Sequence, residues 1–178
     1  ARIDGGAPRS LAEGASPEPS PDGKIVAFTR GGVIYTVALD SGAHEKRLFV
    51  GRGRDGNVRW SPDGSAIAFT STRVDHSFIG VFNVRDSTLR YMDPSVDDDG
   101  YPVWSPDGRS VAFVRQPALT RQPEHALRSS GRPWSIMVAD AATGTARELW
   151  RAVSGAGSMF RRTDSRDQII WTGDNRIA

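Results

Sequence analysis

Ser61-Pro62-Asp63-Gly64-Ser65-Ala66-Ile67-Ala68-Phe69-Thr70 joins a turn to an apolar run, and the same ten-residue pattern occurs three times. It stands also as Ser20-Pro21-Asp22-Gly23-Lys24-Ile25-Val26-Ala27-Phe28-Thr29 and as Ser105-Pro106-Asp107-Gly108-Arg109-Ser110-Val111-Ala112-Phe113-Val114. A degenerate fourth copy, Thr163 to Thr172, keeps the strand and loses the turn. The copies start at residues 20, 61, 105 and 163, and the long last interval contains an insertion. A period of about 40–45 residues with several strands per unit is the signature of propeller blades.

Each copy has a physical reading. Ser, Pro, Asp and Gly in that order suit a type I turn, because Pro presets φ at the second position and Asp can bond the backbone ahead of it. Before the turn, Val58-Arg59-Trp60 and Pro102-Val103-Trp104 read as innermost strands. After it comes a run that is apolar on both faces, as expected of a strand sandwiched between neighbouring blades. Third strands are expected at residues 33–39, 78–84 and 134–139, and outer strands at 46–50, 88–92 and 146–150. The fold class is therefore all-β, a propeller segment of four-stranded antiparallel blades. The expected division is the end of a preceding blade at 1–15, blades at 16–56, 57–99 and 100–154 (the last carrying an insertion at 116–132), and an incomplete blade at 155–178. The chain begins and ends within a blade, so it is expected either to be a fragment of a larger propeller or to close a four-bladed ring through contacts between residues 2–11 and 158–177.

Composition narrows the function classes. The 178 residues are 38% hydrophobic and 25% charged, which fits a globular chain with a buried core rather than a disordered one. No apolar run approaches the roughly 18 residues of a membrane helix, so no membrane span is expected. The absence of Cys excludes disulfide scaffolds, cysteine nucleophiles and thiolate zinc sites. Of the 23 basic residues only Lys24 and Lys46 are lysines, and a net charge of +2 gives no reason to expect a nucleic-acid partner.

Trp60 to Phe69 and Trp104 to Phe113, each Trp-Ser-Pro-Asp-Gly followed by Ile/Val-Ala-Phe, resemble the TolB-type propeller repeat. That repeat is shared by TolB itself and by the propeller domains of the prolyl oligopeptidase family of serine peptidases. The polar insertion after Phe113-Val114-Arg115-Gln116, followed by Pro133-Trp134 onward, resembles bacterial dipeptidyl-peptidase-like members. The resemblance implies a non-catalytic domain that gates and helps bind short peptides for an α/β-hydrolase domain of the same polypeptide. The catalytic residues would then lie outside this chain, which contains no G-x-S-x-G elbow. The alternative is a TolB-like interaction propeller without enzymatic activity that grips a protein partner. Either way the resemblance implies a bacterial periplasmic or secreted setting and calls for no cofactor.

Individual residues add little chemistry. His44, His76 and His125 fall in separate repeats without metal-ligand spacing and read as solvated surface groups. Gly51-Arg52-Gly53-Arg54-Asp55-Gly56 matches G-x-G-x-x-G, but a strand follows it, so an inter-blade loop is expected rather than a phosphate site. Asp97-Asp98-Asp99-Gly100 concentrates carboxylates without the alternation of a calcium loop and reads as solvated turn acids. Arg161, Arg162 and Arg166 form a basic cluster without interleaved aromatics. The five Trp read as inter-blade packing. The polar insertion is the one non-repeat segment with a binding expectation, and Arg121 and Glu124 are its charged groups able to meet a peptide terminus.

Overall fold

The computed structural model describes residues 10–39, 44–118, 133–152 and 169–178. Among these residues twelve strands are formed: β1 (Ala15–Pro19), β2 (Ile25–Arg30), β3 (Val33–Ala38), β4 (Glu45–Arg47), β5 (Arg54–Trp60), β6 (Ala66–Thr72), β7 (Ser77–Asn83), β8 (Thr88–Tyr91), β9 (Asp98–Trp104), β10 (Ser110–Gln116), β11 (Ser135–Asp140) and β12 (Ala146–Arg151). β1 to β4 make one antiparallel four-stranded sheet, β5 to β8 a second, and β9 to β12 a third. A single parallel contact, Ser77 with Asp98, joins the second sheet to the third. The architecture is an all-β propeller segment, and among the described residues no helix is long and apolar enough to cross a membrane.

The repeated turns form as their residues dictate. In each, the Gly N–H donates to the Ser carbonyl, at 2.8 Å for Gly23 and 2.9 Å for Gly64 and Gly108. The Ser hydroxyl donates to the Asp carboxylate two residues on, at 2.7, 2.7 and 2.6 Å, and accepts the N–H that opens the next strand. Gly23, Gly64 and Gly108 sit at φ of 67°, 68° and 70°, a left-handed conformation costly for any residue with a Cβ.

Strand faces alternate between seams. On β6, Ala66 and Ala68 pack with Val111, Phe113 and Met137 of the third sheet, while Ile67 and Phe69 pack with Ala27 and Ile34 of the first. On β10, Val111 and Phe113 face the second sheet, and Ala112 and Val114 face Ile169, Trp171 and Ile177 on the far side. Burying a Phe or Ile in this way contributes about 1.5–3 kcal/mol each. Two indoles fasten the seams: Trp60 Nε1 donates to the Glu18 carbonyl on β1 at 3.1 Å, and Trp104 Nε1 to the Arg59 carbonyl on β5 at 3.0 Å. The inter-blade role expected of these two residues is thus met with a hydrogen bond as well as packing.

The innermost strands begin earlier than expected, at Arg54 and Asp98, so divisions after residues 56 and 99 fall within strands. The reason is a bulge repeated in β1, β5 and β9. Ser16, Asn57 and Tyr101 adopt φ of 56°, 50° and 58°, and the pairing register shifts beside each. Of the fourth copy, residues 163–168 lie outside the described residues, and Trp171 bridges Ile177. Residues 2–9 and 158–168 likewise lie outside, so contact between the two terminal segments is not described.

Candidate functional site

Strand direction alternates within a blade, which gives the propeller two ends. The Ser-Pro-Asp-Gly turns share one end with the turns at 84–87 and 141–145. The opposite, loop end carries the turn at Gly31 and Gly32, segments 48–53, 73–76 and 92–97, and residues 117–118 after β10. Loops positioned by a rigid scaffold are where binding groups concentrate.

Two buried aspartates anchor the loop end. Asp99, at 0% exposure on β9, takes a forked pair from Arg115, with Nε on Oδ1 at 2.8 Å and Nη2 on Oδ2 at 2.9 Å. Arg115 also reaches the connection from β8, its Nη1 donating to Asp93 Oδ2 at 3.0 Å and its Nη2 to the Asp93 carbonyl at 2.6 Å. Burial pushes the Asp99 carboxyl up to about 6, against the pull of Arg115. The same burial disfavours the charged guanidinium of Arg115, but Asp99 and Asp93 outweigh it and raise its pKa. Asp99 is thus no solvated turn acid, and the expectation fails because its side chain turns inward beside the bulge. Asp97 accepts the Ala118 N–H at 3.4 Å, and the Ser77 N–H donates to the Asp97 carbonyl at 3.3 Å.

Asp55 occupies the matching position on β5 with a different partner. It is buried, and its Oδ1 accepts the Ser71 hydroxyl at 2.6 Å. Arg73 donates to Ser71 Oγ at 3.0 Å and to the Tyr91 hydroxyl at 3.2 Å. Burial raises the Asp55 pKa, while the Ser71 bond and the Arg73 charge oppose the shift. The loop 51–53 is moulded onto this network. A Cβ on Gly51 would lie 2.6 Å from Asp55 Oδ2, and one on Gly53 would lie 2.5 Å from the Thr72 carbonyl oxygen as well as against the Arg73 guanidinium. Close packing, not a phosphate, is what requires glycine here, and strand β5 follows as expected.

The turn end holds a cleft of about 660 Å³ between the second and third blades, with Asp63, Asp86, Asp107 and Asp140 among its lining residues. All four are committed to their own turns. The Ser61 hydroxyl, the Ser65 N–H and the Ser65 hydroxyl hold Asp63 down to about 2. Asp86 is lowered by Thr88, Asp107 by Ser105 and Asp140 by the Thr143 N–H. Among the described residues no group of three His, Asp or Glu is placed to hold a metal ion.

Arg121 and Glu124 lie outside the described residues, as do His125 and the cluster Arg161, Arg162 and Arg166. His44 is exposed as expected. His76 departs from the surface reading. Its Nδ1 lies 2.6 Å from Asp75 Oδ1, its ring meets Phe78 edge-on at 4.7 Å, and its side chain is only 25% exposed. The loop-end residues Asp55, Ser71, Arg73, Asp93 and Arg115 were not singled out from sequence; the two buried aspartates carry a signal, Asp-Gly six residues before Ser-Pro-Asp-Gly in two copies, while their partners carry none.

No protein-family model matches the chain. An uncharacterized protein of Agrobacterium fabrum is 37% identical over 89 residues, which is 47% of this chain and 29% of that protein. The fold superimposes on a TolB-like protein of Agrobacterium tumefaciens with a TM-score of 0.61 and 30% identity, covering 87% of this chain and 56% of that one. It also matches acylaminoacyl peptidase of Pyrococcus horikoshii, with a TM-score of 0.56 and 15% identity over 79% of this chain and 24% of that one. The chain therefore spans less than a third of the curated relative and little more than half of the TolB-like protein.

Proposed function

We propose that this chain is part of a TolB-like interaction propeller that grips a protein or peptide partner and carries out no bond chemistry itself, in a bacterial periplasmic or secreted setting. The observation that carries the reading is the likeness to the TolB-like protein, 30% identical across 87% of this chain. The use of the buried polar groups is in keeping with it. Asp55, Asp99 and Arg115 are spent on fixing loops, which is how a binding scaffold is preorganised.

A second reading is favoured by the polar insertion between β10 and β11 and by the likeness of fold to a peptidase propeller. In it the propeller gates short peptides for the α/β-hydrolase domain of a serine peptidase in the same polypeptide, with Arg121 and Glu124 meeting the peptide termini. The native polypeptide, purified intact, separates the two. Absence of labelling by a serine-directed fluorophosphonate is the expected outcome for the interaction propeller. Labelling of a much heavier chain would overturn that reading in favour of the gate. Replacing Arg121 and Glu124 with Ala in such an enzyme should then raise KM for charged short peptides, and unchanged kinetics would remove those residues from the account.

A further inference from the structure

The three most exposed large apolar side chains among the described residues all lie at the loop end: Val74 at 105%, Val50 at 77% and Val96 at 75%. Single exposed valines need no explanation. These three, however, stand one on each of three successive loop-end segments, 48–53, 73–76 and 92–97, and each segment is tied to the blade beneath it. The segment bearing Val50 packs its two glycines on Asp55 and Arg73. The one bearing Val74 is closed by the Arg73 N–H on the His76 carbonyl at 2.8 Å and by the Asp75–His76 contact. The one bearing Val96 is held by Arg115 at Asp93, by Ser77 at Asp97 and by the Ser95 hydroxyl at the Asp97 N–H. The methyl groups are thus presented at little further ordering cost to a partner.

Charge is divided across the same end. Arg52 and Arg54 are exposed near Val50, and among the described residues neither side chain has an ionic or hydrogen-bond partner. Asp75, Asp97 and Asp98 stand beside Val74 and Val96, and among the described residues the Asp98 carboxylate has no partner. We propose that the loop end is a docking surface for an extended peptide segment of a partner protein. That segment would bear aliphatic side chains in its middle, an acidic residue toward Arg52 and Arg54, and a basic residue toward Asp98. The carboxylates among the valines argue against an anionic lipid surface, which they would repel. This inference rests on the interaction reading and gives that reading a surface.

The probe is a displayed library of random twelve-residue peptides, selected on the intact protein, with recovered peptides synthesised for affinity measurement. Recovered sequences are expected to place aliphatic residues between an acid and a base. The triple variant Val50→Asp, Val74→Asp, Val96→Asp should bind them at least tenfold more weakly at unchanged Tm. Because these side chains are exposed, the fold should tolerate the changes, and Val74→Asp alone should show the same direction. The variant Arg52→Glu, Arg54→Glu should lose the preference for the acidic residue. Peptides that bind the triple variant as tightly as the natural protein would overturn the docking surface and leave the interaction reading standing. Recovery of no binding peptide would count against both.

Discussion

The second and third blades bury an aspartate at the same point of the repeat, six residues before the turn serine, yet satisfy it in opposite ways. Asp55 is met by the hydroxyl of Ser71, and Asp99 by the guanidinium of Arg115, although Ser71 and Arg115 occupy equivalent positions on β6 and β10. The first blade has Gly14 in the aspartate slot, and its own arginine there, Arg30, turns outward to Glu45. One backbone slot therefore admits three solutions. The hydroxyl-bonded one seats loop 51–53, the connection from the first blade, by close packing. The ionic one reaches across the seam, because Arg115 has donors to spare for Asp93 on the connection from the second blade.

If that difference is energetic, removing the partner should expose it. Arg115→Met leaves a fully buried carboxylate with no counter-ion and is expected to cost about 3–5 kcal/mol at neutral pH in urea unfolding. Ser71→Ala leaves Asp55 short of one hydroxyl donor and should cost about 1–3 kcal/mol. Equal losses would mean that the ionic clasp holds no more than the hydroxyl does.

Acid titration sharpens the contrast, with a somewhat smaller effect. The Asp99 carboxyl stands near 6 in the folded protein against an ordinary 3.8, so the folded state binds its proton more tightly than the unfolded chain. The resulting stabilisation is complete below about pH 4 and is lost as pH rises through 6. Its full size is of order 2–3 kcal/mol. The natural protein should gain stability relative to Asp99→Asn as pH falls from 7 to 5, and a constant difference would show that the pair keeps Asp99 ionised throughout. The turn aspartates act oppositely and elsewhere. Asp63, held near 2, contributes stability that is present above about pH 4 and is lost as pH falls toward 2.

The turns and nearly every strand were legible in the residues, because Ser-Pro-Asp-Gly fixes its own hydrogen bonds locally and a sandwiched strand announces itself by being apolar on both faces. The slot that separates the blades was not. Asp-Gly looks like turn chemistry, and the left-handed residue after it, Asn57 or Tyr101, breaks the alternation that would mark the first half of β5 or β9. Expected strands accordingly started at Val58 and Pro102, four residues late, and the buried carboxylates fell among loop residues. Partner choice was less visible still. Ser71 and Arg115 reveal their roles only when β6 and β10 are laid against β5 and β9.

The two seams offer a comparison that should come out even. Trp60 and Trp104 each donate one indole N–H to a carbonyl of the preceding blade at nearly equal distance. Phe at either position keeps most of the apolar surface and takes one indole donor away from a carbonyl, at a cost of about 0.5–1.5 kcal/mol by urea unfolding. A large excess at Trp104 alone would mean that the ionic clasp and the indole act as one unit, and Trp104→Phe combined with Arg115→Met would then be non-additive.

The smallest effect falls on the glycines that follow the buried aspartates. Neither Gly56 nor Gly100 has a positive φ, and a Cβ at either would meet nothing within 4 Å, so no local geometry requires glycine there. Alanine also restricts the unfolded chain. Gly56→Ala and Gly100→Ala should therefore lie within about 0.5 kcal/mol of the natural protein, on the stabilising side if anything. Gly80 on β7 is the control. A Cβ there would sit 2.4 Å from Phe69 Cζ in the seam, and the overpacking should cost about 1–3 kcal/mol. If Gly56→Ala is neutral while Gly100→Ala is as costly as Gly80→Ala, the two innermost strands are not interchangeable, and the difference between the blades extends from the aspartate's partner to the backbone that carries it.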